Sequence, residues 1–156
     1  MKQFHKGKLA WVLILSVAPG VLSADSIKFD FRDSKKVNNV VFLMDAPLES
    51  INGTATGVSG TVSFDPAKPA ATAGKIVLST SSLHVDNPVM KKHMLDEGWM
   101  HVSKFPTIEF VAGKMTEVKT TGTTITGTID GKLTVKGVTK KVSVPVRLTY
   151  LKGMLI

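Results

Sequence analysis

The sequence predicts an all-β domain, a barrel or a sandwich, with one short helical insertion. Three observations support this prediction: apolar and polar residues alternate in several segments, turn-forming residues separate those segments, and one segment alone has helical spacing. The length of 156 residues suits one ordinary domain and is too short for two. The 43% share of hydrophobic residues is enough for a core, which argues against disorder along the whole chain.

The strongest strand pattern covers residues 125–135, where odd positions are apolar or glycine and even positions are polar. The same period of two runs through residues 58–64 and 142–150. Pro145 predicts an edge strand or a bulge, because proline has no backbone N–H to donate to a neighbouring strand. Lys136-Gly137 predicts a short hairpin connection. Further strands are predicted at residues 27–31, 40–44, 75–80 and 107–112, with Gly113 and Thr121-Gly122 among the turn signals.

The helix is predicted over residues 88–98. Asp86 or Asn87 suits the position before the helix, Pro88 suits its first turn, and Gly98 suits its end. The residues at helical spacing that would form one stripe are Val89, Met90, His93, Met94 and Glu97.

The first residues have the pattern of a secretory signal peptide. Residues 1–8 carry three lysines and no acid, residues 9–18 are continuously apolar, and residues 19–24 end in small side chains. A run of ten is too short to span about 30 Å of hydrocarbon as a helix, although an uncleaved anchor stays open as an alternative. We expect a signal peptide at 1–24 and one β-barrel domain at 25–156, whose net charge falls from +8 to +5 when the three lysines are removed.

Composition and motifs argue against several classes of protein. The chain has no cysteine, which excludes disulfides, thiolate zinc sites and a cysteine nucleophile. Aromatic residues make up 6%, which leaves little for base stacking, so no nucleic-acid partner is expected. No nucleophile elbow, phosphate-binding loop or dinucleotide fingerprint occurs, so we expect neither an enzyme nor a cofactor. His84, His93 and His101, with Glu97, match no tight metal motif, and a histidine-based metal site stays an alternative.

Three segments carry a resemblance to a known family: residues 53–66 (GTATGVSGTVSFDP), 99–110 (WMHVSKFPTIEF) and 127–142 (GTIDGKLTVKGVTKKV). Their order and spacing are similar to those of the YceI family of secreted lipid-binding proteins. The resemblance implies an extended, lipocalin-like antiparallel β-barrel that holds a long isoprenoid or similar amphiphile in an internal tunnel. Members usually continue through further strands beyond the point where this chain stops. We therefore expect a truncated or naturally short barrel, with exposed edges and ligand retention in question.

The tunnel prediction has partial support from the residues themselves. Gly60, Gly127 and Gly131 lie on the apolar face, where they either leave volume for a guest or let the strands bend. Each buried methylene contributes about 0.8 kcal/mol, so a long apolar guest needs few polar contacts. The inward-facing apolar residues predicted to line the tunnel are Phe42, Val62, Phe64, Ile76, Leu78, Ile108, Phe110, Ile129, Leu133, Val135, Val144 and Val146.

The helix and the segment after it are predicted to close the tunnel. Met90 and Met94 would act as adaptable lid contacts, and Trp99 with Met100 would form the mouth. A polar head would meet basic residues, for which the candidates are Lys91, Lys92 and Lys104. Ordinary core packing and solvated surface lysines remain the alternative interpretation for all of these residues.

The predicted function is a periplasmic or secreted binding protein for a polyisoprenoid, a prenyl quinone or a similar lipid, in transport, storage or stress response. No catalytic residue, no metal and no cofactor other than the lipid is expected, and no membrane span once the signal peptide is removed. The alternatives are a histidine-based metal-binding protein and a stress protein that interacts through its surface without lipid cargo. In the last case an exposed edge would favour a homodimer or strand addition.

Overall fold

Alternating apolar residues form nine β-strands, joined by one α-helical insertion, in the computed structural model, which describes residues 26–37, 40–45 and 50–156. The helix is α1 (Pro88–Leu95), and two short 3-10 helices cover Pro69–Ala71 and Thr80–Ser82. The strands are β1 (Ile27–Asp30), β2 (Val40–Asp45), β3 (Ser50–Ala55), β4 (Val58–Phe64), β5 (Ala73–Ser79), β6 (Thr107–Thr121), β7 (Thr124–Val135), β8 (Val138–Leu151) and β9 (Met154–Leu155). The predicted signal peptide, residues 1–24, lies outside the described residues and stays a prediction.

Seven strands form one antiparallel sheet in the order β1-β4-β5-β6-β7-β8-β9, and β2 and β3 pair separately as a hairpin. The large sheet curls until its two ends approach. The ring of Phe29 on β1 lies 6.3 Å from the ring of Tyr150 on β8, and both contact Phe64, at 6.5 and 5.7 Å. The result is a nearly closed antiparallel β-barrel with one helical insertion, which confirms the predicted fold class.

Two buried apolar clusters occupy opposite ends of this barrel. The first lies beneath α1 and the hairpin. Its buried members are Ala55, Leu78, Leu83, Val85 and Met94, with Phe42, Met90, Met100 and Ile108 among the residues packed against them. The second lies at the aromatic end, and its buried members are Phe64, Met115, Ile125 and Ile129, with Phe29, Phe110, Val146 and Tyr150 among their neighbours.

Several details of the strands follow the sequence closely. The bounds of β4 coincide with the predicted segment, and β7 extends the predicted one by a single residue. Lys136 and Gly137 both have positive φ, 48° and 75°, which is the backbone of a tight hairpin turn. Pro145 pairs with Thr128 of β7, and over that stretch β8 has no second neighbour within the described residues. The edge position predicted for Pro145 is therefore confirmed.

Two predicted boundaries are wrong, and one strand was missed. Strand β3 was not expected, and Gly113, expected to end a strand, lies within the fifteen-residue β6. The register between β6 and β7 shifts between Ala112 and Met115, so bulges carry the strand onward although its alternation is interrupted. The helix ends at Leu95 and not at Gly98, because Asp96 is extended and its N–H closes the last turn on the carbonyls of Lys92 and His93. No helix in the described ranges is both long and apolar enough to cross a membrane.

The inward glycines serve the packing of the chain itself. A Cβ atom on Gly131 would lie 2.5 Å from two ring carbons of Phe110, and one on Gly127 would lie 2.7 Å from the end of Met115. These glycines make room for neighbouring side chains, and not for a guest. Gly60 has a φ of +135°, which fits the alternative that glycine lets a strand bend.

Candidate functional site

An apolar cavity of about 320 Å³ lies between α1 and the β2–β3 hairpin. Seven of its eight lining residues are apolar, and the eighth is a histidine. The lining residues are Met44, Ile51, Val85, Val89, Met90, His93, Met94 and Trp99. A concave apolar site with one polar group is the usual form of a small-molecule binding site, and this volume is near the lower end of the usual range.

The helix supplies one wall because four of its residues share a face. Met90 and Met94 are one turn apart, as are Val89 and His93, and the two pairs lie side by side on the helix surface. The start of this helix is fixed by Asn87, whose side-chain oxygen accepts hydrogen bonds from the N–H groups of Val89 (3.0 Å) and Met90 (3.1 Å). This cap satisfies two backbone donors that would otherwise have no partner in the helix.

The hairpin supplies the opposite wall. Met44 and Ile51 are directly paired across β2 and β3, so their side chains project from the same face of the hairpin. The hairpin is held in place by a bridge to the segment before the helix, where Thr54 and His84 exchange backbone hydrogen bonds of 2.8 and 2.7 Å. Two bonds of this kind fix the distance between the hairpin and the chain that leads into α1.

The floor and the rim of the cavity differ in exposure. Val85 and Met94 are buried and continue into the first apolar cluster, so the floor is part of the core. Val89 and Trp99 stand at the rim, where they are 64% and 48% exposed. Trp99 is positioned by the chain folding back after the helix, since the N–H of Met100 donates to the carbonyl of Met94 at 3.0 Å. Large apolar side chains exposed together at the edge of a cavity are typical of interaction sites.

His93 is the one polar side chain that lines the cavity, and it is exposed to solvent. Its ring offers both a donor and an acceptor when neutral, so it can orient a hydroxyl, carbonyl or phosphate head at the mouth. The three lysines predicted to meet a polar head, Lys91, Lys92 and Lys104, are not among the lining residues. The ammonium of Lys104 lies 5.6 Å above the ring of Phe105 instead.

The predicted lining residues divide into three groups. Met90, Met94 and Trp99 line the cavity, and Phe42, Leu78, Ile108 and Met100 pack directly below it in the first cluster. At the far end, Phe64, Phe110, Ile129 and Val146 pack against one another in the second cluster. The residues outside both clusters are Val62, Ile76, Leu133 and Val135, which are half-buried, and Val144, which is exposed on the edge strand β8. A role for these residues in lining a tunnel stays a prediction.

Sequence reasoning missed five residues of the cavity wall as ligand contacts: Met44, Ile51, Val85, Val89 and His93. Met44 could have been found, because it has the same parity as Phe42 in an alternating strand. Val89 and His93 were placed on the helical stripe, although neither was assigned to the ligand. Ile51 and Val85 gave no such signal, since β3 and the approach to the helix were not predicted as walls.

The three histidines in the described part of the chain do not converge on one point. His84 Nε2 lies 3.6 Å from the Asp86 carboxylate at the surface, His93 lies at the cavity, and the ring of His101 packs edge-on to Phe105. Across the described part of the chain, no group of three or more histidine, aspartate and glutamate side chains is placed to hold a metal ion.

A nearly closed barrel with an apolar cavity beside its helix is an architecture that small-molecule binding proteins use. Residues 26–154 match the family model described as the YceI-like domain. The chain belongs to the YceI family.

Curated relatives match over part of their length. A UPF0312 protein of Pseudomonas savastanoi pv. phaseolicola is 39% identical over 92 residues, which cover 59% of this chain and 46% of the relative. A UPF0312 protein of an Enterobacter species is 34% identical over 96 residues, covering 62% and 47%. The match thus spans about half the length of these relatives.

Solved structures share the fold. BcnA of Burkholderia cenocepacia matches with a TM-score of 0.56 and 26% identity, covering 72% of this chain and 67% of that one. The YceI protein of Campylobacter jejuni gives 0.54 and 21%, covering 74% and 66%. A polyisoprenoid-binding domain of Saccharophagus degradans gives 0.53 and 12%, covering 74% and 63%. At 21% and 12% identity, the last two matches show a shared fold and nothing about function.

Proposed function

We propose that this protein binds a long-chain amphiphile, such as a polyisoprenoid or a prenyl quinone, with its apolar chain in the cavity between α1 and the β2–β3 hairpin. The observation that carries the proposal is the composition of the wall, in which seven of eight residues are apolar. Such a wall provides burial, and its single polar side chain, His93, is proposed below to meet the polar head of the ligand, so the proposed role is binding without catalysis. The Saccharophagus domain that shares this fold is a polyisoprenoid-binding domain, which supports the same class of ligand for this protein.

The energetics favour a long guest over a short one. Each methylene moved from water into an apolar site contributes about 0.8 kcal/mol. Association costs at least about 4 kcal/mol in lost translational and rotational freedom, so a guest must bury more than about five methylenes before binding is favourable. A chain of several isoprene units exceeds this threshold, whereas a single unit does not.

The methionines of the wall suit a guest that varies in shape. Met44, Met90 and Met94 have unbranched, flexible side chains that fill irregular space at low cost. Their positions on both walls mean that either side of the cavity can adjust. We propose that His93 meets the polar head, since its side chain is exposed to solvent while Val85, in the same cavity wall, is buried.

We also propose that the protein acts in the periplasm or outside the cell. The support is the pattern of basic, apolar and small residues in the first 24 positions. Transport, storage and a stress response are all compatible with a protein that shields a lipid chain from water.

The proposal is tested by extracting the purified protein with organic solvent and analysing the extract by mass spectrometry, together with titration of geraniol, farnesol and geranylgeraniol. We expect a co-purified lipid and an affinity that rises with each isoprene unit. An extract free of lipid, with affinity that does not depend on chain length, would count against the proposal.

A further inference from the structure

Basic residues are concentrated in the last part of the chain. Residues 113–156 contain eight lysines and arginines and two acids, a net charge of +6, whereas residues 25–112 contain nine basic and ten acidic residues. The uneven distribution follows the fold, because residues 113–156 form the end of β6 and all of β7, β8 and β9. The basic residues in this part are Lys114, Lys119, Lys132, Lys136, Lys140, Lys141, Arg147 and Lys152.

Strand register places four of these cations on the outer face of the barrel. Lys132 on β7 is directly opposite Lys141 on β8, and Thr126 on β7 lies between Lys119 on β6 and Arg147 on β8. Directly paired residues share a face, and residues of the other parity on β7, such as Ile129, are buried inside. The two rows are six residues apart along β7, or about 20 Å. We call Lys119, Lys132, Lys141 and Arg147 the basic face.

The pairing of Lys132 with Lys141 is unfavourable in the isolated protein. Like charges directly opposite on neighbouring strands destabilise a sheet. Within the described residues neither lysine forms an ion pair, whereas Lys75 on the same side of the sheet is paired with Glu109 at 2.8 Å. An external anion would remove this repulsion.

Two acids, Asp130 and Glu117, lie between the two rows of the basic face and reduce its charge, while Glu109 on the same side of the sheet is already paired with Lys75. The carboxylate of Asp130 accepts a hydrogen bond from the hydroxyl of Ser143 at 2.6 Å, and that of Glu117 accepts one from the hydroxyl of Thr128 at 3.1 Å. Both acids are engaged by hydroxyl groups and not by the lysines. They separate the two cationic rows without neutralising either row.

One end of the basic face carries exposed apolar side chains. Leu151 has the same parity on β8 as Lys141 and Arg147, and it is directly paired with Met154 on β9. The two are 45% and 55% exposed. Leu151 is four residues beyond Arg147, or about 13 Å along the strand.

We propose that the basic face, with Leu151 and Met154, docks on the surface of an anionic phospholipid bilayer. The cations would lie at the level of the headgroups, and the two apolar side chains would enter the boundary between headgroups and acyl chains. A nucleic acid would gain nothing from Leu151 and Met154, which is why these residues favour a bilayer over a soluble polyanion. The docking surface is distinct from the cavity and does not depend on its ligand.

The first test is co-sedimentation of the protein with vesicles of phosphatidylcholine alone and of equal parts phosphatidylcholine and phosphatidylglycerol. We expect binding to the anionic vesicles that weakens as salt is added. Each basic residue near such a surface strengthens binding about five-fold, so K132Q/K141Q should weaken it about thirty-fold. The same charge change at two exposed lysines that are not among the four residues of the basic face, K35Q/K68Q, should have a much smaller effect. An equal loss in both variants would overturn the proposal.

The second test distinguishes a bilayer from a polyanion and excludes misfolding. Replacing Leu151 with serine should weaken vesicle binding about five-fold, because the bilayer would bury the exposed half of the leucine side chain. Heparin binding should not change, since a soluble polyanion does not bury this side chain. Heparin binding as tight as vesicle binding, with no effect of L151S on either, would favour a soluble polyanion and overturn the proposal. K132Q/K141Q should unfold at the same temperature as the parent or higher, because it removes a repulsion.

A third measurement locates the contact even if the lysines of the predicted signal peptide also bind vesicles. Acetylation by a water-soluble amine reagent, read by mass spectrometry, should be slower at Lys132 and Lys141 when anionic vesicles are present. Lys35 and Lys68 should react at unchanged rates. Equal protection at all four lysines, or none at any, would contradict the proposed orientation.

Discussion

Replacing Val89 with alanine separates ligand binding from folding, because this side chain lines the cavity yet is 64% exposed. Complete burial of a valine side chain contributes about 1.5 kcal/mol. Because about a third of Val89 is already buried in the folded protein, this side chain contributes about 0.5 kcal/mol to folding. A guest that covers the exposed remainder gains about 1 kcal/mol of binding free energy. Alanine has the higher helix propensity by roughly 0.5 kcal/mol, which offsets the loss in folding. We expect an unchanged melting temperature and a Kd for geranylgeraniol that rises about five-fold.

The matched control is the same substitution at Val138, which is 60% exposed on β8 and is not part of the cavity wall. It should leave the Kd unchanged. Both variants are measured by isothermal titration calorimetry and by thermal unfolding. If Val89→Ala binds as tightly as the parent, or if Val138→Ala loses affinity to the same extent, the cavity is not where the guest is held.

Three further changes test the structure around the site. Met94→Ala removes a buried residue shared by the cavity floor and the core, and should lower the free energy of unfolding by about 2–5 kcal/mol in a denaturant titration. Gly131→Ala should lower the free energy of unfolding by about 1–3 kcal/mol, because the new methyl group meets the ring of Phe110. Gly98→Ala has open space around the new methyl group and should leave the free energy of unfolding unchanged. Equal melting temperatures for the two variants would contradict this prediction. Asn87→Ala should lower the free energy of unfolding by about 1 kcal/mol and the melting temperature by about 4 °C, because the helix loses its cap. Asn87→Asp keeps a side-chain oxygen that can accept the same hydrogen bonds and should retain most of this stability. Identical losses in the two variants would mean that the side-chain oxygen does not stabilise the helix.

Much of the barrel could be predicted from the sequence because period-two alternation is a direct consequence of strand geometry. In β7, Ile125 and Ile129 are buried and Asp130 and Lys132 are exposed, as alternation requires. The hairpin at Lys136 was predictable for a similar reason, since Gly137 after a polar residue permits the positive φ of the turn.

The missed elements are those in which local pattern does not determine the structure. Beyond Ala112 the bulges in β6 break the alternation, so a continuous strand looks like a strand followed by a turn. In β3 the inward positions include Gly53, which has no side chain, and the ring of Phe42 on β2 occupies the space that is left. Such complementarity depends on register between two strands and is not visible in either strand alone.

The site was predictable to the extent that it lies on one helix. Met90 and Met94 are one turn apart and were identified from spacing, and Trp99 follows shortly after them. The opposite wall was not predictable, because Ile51 lies at the cavity only when the bridge between Thr54 and His84 holds the hairpin against the segment before the helix. Two segments separated by thirty residues meet there, and sequence spacing contains no information about that contact.

The most direct test of ligand binding in the cavity uses the fluorescence of Trp99 at its rim. The chain contains two tryptophans, and Trp11 lies in the predicted signal peptide, so Trp11→Phe leaves Trp99 as the only one whether or not residues 1–24 are removed. Titration of this variant with geranylgeraniol should shift the emission to shorter wavelength and saturate, because a guest in the cavity covers a ring that is 48% exposed in the structure. Emission that does not change, or that changes without saturation, would contradict the account.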